Sequence, residues 1–374
     1  MPVVVDEHGV VLPTYKFRKL PTIQDIEQLN GLWLIWQENQ TLIVTDDPAK
    51  IEGRSISYLD QQDSKEGCTS FIIDLADDER YLCFSAGSLR FTIVGTSDQA
   101  IAETATFLWE LLGNIKARDI SCRSCVEFNF GVFSLEQLAV LFRTHQNAQV
   151  ALDVSTISPM QSEFIAQLPY PISLYLQESF DSFSDGGNAF VESLLRRDSS
   201  FGSLKLWSVL ESQSDTFQRL LEEKAIETVE LRVGTPSQIR QLLTASVKCI
   251  RILCEGDDLW KVDWSSVDII PKELSLDLDL VDEEDHTDSL CSFLRRLAGM
   301  GDFVKLGFTF WFPQVPSRAV DELIHVVAAN QGLKELHLSF VLRKRGTKHQ
   351  DVFTTIGRHE SLRCLKIDEY PHRT

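Results

Sequence analysis

The chain has 374 residues, 43% of them hydrophobic, with a formal net charge of −19 and a mean hydropathy of −0.08. That length exceeds what one growing core usually supports, so two domains or a one-dimensional repeat array are expected. The acid excess repels nucleic-acid phosphates and anionic membrane surfaces, and no apolar run approaches the ~20 residues of a membrane-spanning helix.

Residues 1–8 carry neither the basic region nor the uninterrupted apolar region of a secretory signal, so the expected compartment is the cytoplasm or the nucleus. The cysteines at 68, 83, 122, 125, 249, 254, 291 and 364 are scattered, and several alternate with apolar residues. They read as free buried thiols in a reducing compartment. Up to residue 120 the pattern is strand-like, with runs at 33–37, 41–45, 55–59, 70–75, 81–84 and 89–94. A helix is predicted over 97–115, with Ile101, Ala105, Leu108, Trp109 and Leu112 on one face. Strands closed by one helix predict a small β-rich domain or a cap over residues 1–120. The element order loosely resembles a pleckstrin-homology-like barrel, which would make Trp109 the helix residue that plugs one end. The turn at 37–40 has no Lys or Arg, which argues against inositol phosphate there. A cap covering the first repeat is the simpler expectation.

From residue 121 to 374 a repeat emerges. A pair of apolar residues separated by one position recurs every 21 to 32 residues: Val126 and Phe128, Val150 and Leu152, Leu174 and Leu176, Leu204 and Leu206, Val229 and Leu231, Ile250 and Ile252, Leu274 and Leu276, Leu306 and Phe308, Leu336 and Leu338, and Leu365 and Ile367. Period-two alternation is what a strand with one buried face requires. An apolar residue three positions upstream often extends the pair, as in Leu333-Leu336-Leu338 and Ile226-Val229-Leu231. Between the pairs lie apolar triples at i, i+3 and i+4, such as Leu138-Leu141-Phe142, Ile239-Leu242-Leu243 and Leu290-Phe293-Leu294, which line one helix face. Ser134 with Gln137, Ser158 with Gln161 and Thr235 with Gln238 combine a capping hydroxyl with a glutamine at the third helical position, two of them with proline first. Residues 260–270 are too short and β-branched for a full helix and predict a 3₁₀ turn or extended piece.

A strand and a helix every 20 to 32 residues resembles the leucine-rich repeat family, in particular its ribonuclease-inhibitor-like branch. The resemblance covers about two thirds of the chain and lacks the usual laddering Asn or Cys in most repeats. It implies an α/β solenoid of about ten irregular strand-helix repeats beginning near Cys122, with a concave sheet that binds other proteins.

Motifs that would carry chemistry have structural readings. Cys122 and Cys125 have redox or half-zinc-site spacing, but no second CxxC or close His pair accompanies them, so they read as repeat-entry cysteines. The acidic run Asp277, Asp279, Asp282, Glu283, Glu284, Asp285 and Asp288 lacks the glycine and final glutamate of a calcium loop and reads as a solvated ridge. Gly299-Met300-Gly301 precedes a strand and reads as a helix stop. Arg343, Lys344, Arg345 and Lys348 read as a solvated inter-repeat loop. No nucleotide, serine-hydrolase or zinc-protease motif is present. No enzyme, cofactor, metal or nucleic-acid role is therefore expected.

The residues between and just after each strand pair should project from the concave sheet. They include five acidic and four Lys or Arg positions, a nearly neutral strip. Mixed charge with large aromatics is the composition of interfaces. The candidate partner-binding residues are Tyr175, Lys205, Trp207, Glu230, Arg232, Arg251, Asp277, Trp311 and His337. A non-enzymatic binding or adaptor protein with an unidentified protein partner is the first reading. A ligand- or lipid-binding N-terminal domain positioned by the solenoid is the alternative.

Overall fold

The structure, a computed structural model, describes residues 4–5, 11–12, 14–16, 33–37, 41–45, 56–59, 70–73, 80–86, 89–95, 97–112, 117–177, 179–207, 215–222, 226–233, 235–255, 261–279, 286–310, 316–340 and 347–369. The chain divides into two compact units, Met1–Phe190 and Val191–Thr374.

The first unit contains β1 (Val4–Val5), β2 (Val11–Leu12), β3 (Thr14–Lys16), β4 (Trp33–Gln37), β5 (Thr41–Thr45), β6 (Ile56–Leu59), β7 (Ser70–Ile73), β8 (Arg80–Ala86), β9 (Leu89–Gly95), helix α1 (Asp98–Leu112), β10 (Asp119–Ser124), α2 (Leu135–Thr144), β11 (Gln149–Asp153), α3 (Pro159–Ala166) and β12 (Ile172–Leu176). Its main sheet runs β12-β11-β10-β8-β9-β4-β5-β3. The strands β10, β11 and β12 are parallel, whereas β10 meets β8 antiparallel. The N-terminal strands thus share a sheet with the first repeats.

The predicted face of α1 is buried: Ile101, Ala105, Leu108 and Trp109 have at most 1% of their surface exposed. The Trp109 ring stacks on Phe133 at 5.0 Å and lies 6.1 Å from Phe84 of β8. One indole therefore joins α1, the last hairpin of the N-terminal strands and the turn that enters α2. Burying an aromatic of this size contributes more than any single surface pair can.

The second unit contains β13 (Gly202–Leu206), α5 (Asp215–Glu222), β14 (Ile226–Val233), α6 (Pro236–Leu243), β15 (Cys249–Glu255), β16 (Glu273–Asp279), α7 (Thr287–Met300), β17 (Lys305–Phe310), α8 (Ser317–Ala329), β18 (Glu335–Phe340), α9 (Thr347–Gly357) and β19 (Cys364–Glu369). The boundary between units falls within α4 (Asn188–Leu195). The seven strands β13 to β19 are parallel neighbours in chain order. Adding one strand per repeat beside the last, with a helix returning the chain, is the local plan of a solenoid.

Nine of the ten apolar pairs fall in strands as expected. The first does not: Val126 is 86% exposed and lies in a turn, while Phe128 is buried. The strand comes earlier, with Ile120 and Cys122 on its buried face. The apolar spacing at 126 and 128 comes from a hydrophobic turn, in which Phe130 and Phe133 also pack, and not from a ladder. Glu127 and Asn129 consequently leave the outward strip, and Asn129 instead caps the 3₁₀ turn by accepting from the Gly131 N–H.

The capping signals hold at atomic level. Ser134 and Gln137, and Ser158 and Gln161, exchange both bonds of a capping box, and Thr235 accepts from Gln238 N–H. Helix α7 ends on Gly301 with φ of 68°, a left-handed stop that a side chain would strain. Residues 261–270 form turns, and Trp264 fills the missing helix's place by packing on Phe293 at 4.5 Å.

Candidate functional site

The face of the second unit's sheet opposite its buried residues can be read from register. Lys205, Glu230, Arg251, Ser275, Gly307, His337 and Lys366 stand opposite one another on successive strands. A second row runs Arg232, Leu253, Asp277, Thr309 and Ser339, although Gly307 of the first row and Ser339 of the second are themselves buried. The rows' neighbours along each strand, Leu204, Leu206, Val229, Leu231, Ile250 and Ile252, are at most 1% exposed. Alternation at period two thus assigns the two rows to the other face.

A bulge sets which residues meet at its first strands. Gly202 pairs with Ile226 but Ser203 pairs with Thr228, so Glu227 is extra on β14. Gly202 accepts this kink with φ of 100°. The Glu227 carboxylate accepts the Ser200 hydroxyl at 2.6 Å, and that hydroxyl accepts the Gly202 N–H at 3.1 Å. Arg197 pins the same loop by donating to the carbonyls of Ser199 at 2.9 Å and Ser200 at 2.8 Å. If the pairing ran on from Gly202 and Ile226 with no bulge, Lys205 would face Val229, and one charge would meet the core. The three-residue spacing of Ile226 and Val229, both buried, is this bulge seen in sequence.

Past the bulge five candidate residues converge. Trp207 is 38% exposed, with the Lys205 ammonium 5.8 Å and the Arg232 guanidinium 5.6 Å from its ring centroid. Lys205 Nζ also lies 2.9 Å from Glu230 Oε1, and Arg251 Nη1 lies 3.5 Å from Glu230 Oε2. Each carboxylate oxygen of Glu230 therefore serves one cation. Cation–π contacts at such exposed positions are worth about 0.5–1 kcal/mol each, and exposed ion pairs about as little. The cluster adds modestly to stability, but it leaves a part-exposed indole beside two positive charges.

The other candidates lie apart. Asp277 is on the adjacent strand β16, opposite Leu253, and His337 is on β18, three strands from Arg251, roughly 14 Å at the usual spacing. Tyr175 is a half-buried outward residue of β12 in the first unit. Trp311 lies outside the described residues, as do Asp282, Glu283, Glu284, Asp285, Arg343, Lys344 and Arg345.

Cys122 is buried on the core face, where burial pushes its thiol pKa up and away from the reactive thiolate. Cys125 lies beyond the strand, with its Sγ accepting the Tyr81 N–H at 3.3 Å, and both thiols are free. Among the described residues no group of three or more His, Cys, Asp and Glu is placed to hold a metal ion. No described helix is long and apolar enough to cross a membrane.

Sequence reasoning missed the residues that position the patch, Arg197, Ser200 and Gly202, because polar loop residues carry no periodic signal. It also missed Asn330, fully buried at the end of α8. Its Oδ1 accepts the Phe303 N–H at 3.0 Å, its Nδ2 donates to the Val326 carbonyl at 2.8 Å, and its own carbonyl lies 2.9 Å from His359 Nε2. One side chain and its carbonyl thus tie three successive repeats together.

The fold and this face define the chain as an α/β repeat protein of strand-helix units. No protein-family model matches it, and no curated protein matches it either.

Proposed function

We propose that the chain is a non-enzymatic protein-binding module of the cytoplasm or nucleus, built of repeats of the leucine-rich kind, that holds a partner against the outward face of the second unit's sheet. Residues 1–120 serve as the cap of the array. The observation that carries this reading is the contrast among tryptophans: Trp109 and Trp264 are at most 2% exposed, whereas Trp207 is 38% exposed beside two cations. Exposing an indole costs solvation that packing could recover, and aromatic residues beside arginine are where binding energy concentrates. Sheet faces of parallel repeats also offer a strip along which an extended segment or helix can lie.

The test is affinity purification from cells with the full chain and with Trp207→Ala combined with Arg232→Ala. Partners recovered specifically by the parent should be lost by the double variant while its thermal midpoint stays close to the parent's. If every specific partner remains bound, the face is not the binding surface.

A further inference from the structure

The outward face is not uniform in charge. On β13, β14 and β15 its charged positions are Lys205, Arg232 and Arg251 against Glu230 and, at the end of β15, Glu255. On the next three strands, Glu273, Asp277 and Glu335 stand against Lys305, with Lys305 paired to Glu335 at 2.7 Å. A chain with a formal net charge of −19 therefore sets two cations, Lys205 and Arg232, against its exposed tryptophan, with a third, Arg251, two strands away on the same face. At physiological salt the Debye length is about 8 Å, so a group docking at Trp207 senses those cations far more than the distant acid excess.

Resting on the proposed binding role, we infer that the occupant of this patch is an acidic linear segment of a partner protein, with an aspartate or glutamate beside an apolar or aromatic residue. The apolar residue stacks on Trp207. The carboxylate meets Arg232, two residues beyond Glu230 on β14, and Arg251, opposite Glu230 on β15, which can offer paired N–H donors to a planar anion. Glu230 keeps Lys205 and Arg251 extended toward one another in the absence of a ligand, so little side-chain freedom is lost when the carboxylate arrives. Specificity follows from the same charges, because a basic segment would place a cation against three others.

The experiment pans a displayed library of random 12-residue peptides on the full chain, and in parallel on the Trp207→Ala variant, followed by calorimetric titration of the enriched peptides. The expected result is enrichment of acidic peptides carrying an aromatic, proline or leucine, which are lost on Trp207→Ala. Arg251→Glu should weaken them by about tenfold or more, the loss of one charge-assisted contact made worse by repulsion, and replacing the peptide acid with lysine should recover part of that loss. Neutral or basic peptides that still require Trp207 would overturn the acidic assignment and leave the binding face standing. Peptides that bind the Trp207→Ala variant equally well would overturn both. No enrichment, or self-association of the chain abolished by Arg251→Glu, would overturn the assignment to a linear acidic segment.

Discussion

Two tryptophans in the two units stand in opposite surroundings. Trp109 is sealed between α1, β8 and the turn at Phe133, whereas Trp207 follows β13, part-exposed and with two cations near its ring. The first joins strands of unlike direction, where no repeating ladder is available and bulk must fill the junction. The second follows a parallel strand whose core side is already filled by Leu204 and Leu206. Residue type alone therefore does not tell a sealed aromatic from an exposed one. What the chain places beneath them does.

The largest expected effect tests the sealed side of that contrast. Trp109→Ala should lower stability by about 3–5 kcal/mol, through lost burial and the cavity left behind, in chemical or thermal denaturation. Trp207→Ala should move it by less than about 1 kcal/mol. Equal losses would erase the distinction between the two sites.

In the second unit a polar position also matters. Asn330→Ala leaves the buried Phe303 N–H without its acceptor, and about 1–3 kcal/mol should be lost. Hydrogen exchange at 297–310 should rise before exchange in the first unit does.

A pH dependence is expected of the first unit's aromatic junction. His145 lies 6.4 Å from Phe84, is 5% exposed and has no hydrogen-bond partner for Nε2 among the described residues. Burial lowers its pKa from 6.5 to about 4. The unfolded chain therefore takes up a proton at higher pH than the folded one. The stability present above pH 6.5 should decline as pH falls toward about 4. His145→Leu should flatten the thermal midpoint over that window, and an unchanged slope would show that His145 does not carry it.

Much of this was legible because periodicity is a one-dimensional record of burial. Pairs such as Ile250 and Ile252 announce strands, triples such as Ile239, Leu242 and Leu243 announce helices, and Ser158 with Gln161 announces a helix start. The same record misled at Val126, where a hydrophobic turn imitates alternation. It passed over Asn330, because a buried amide looks in sequence like any loop polar residue until its partners at Phe303 and Val326 are in place. The five residues of the patch were named by their alternation, but their convergence was not.

By itself the sequence determined the repeating unit, the faces of most strands and helices, and the candidates that would project outward, since each depends on neighbours within a few residues. The tertiary structure alone decided that β10 lies at 119–124 and joins β8 antiparallel, and that a one-residue bulge at Gly202 turns Lys205 toward Glu230. Only it placed Arg232 beside Trp207. Register between strands is settled by which turn and loop bonds can form at once, among them those of Arg197, Ser200 and Glu227, and no local pattern records that choice.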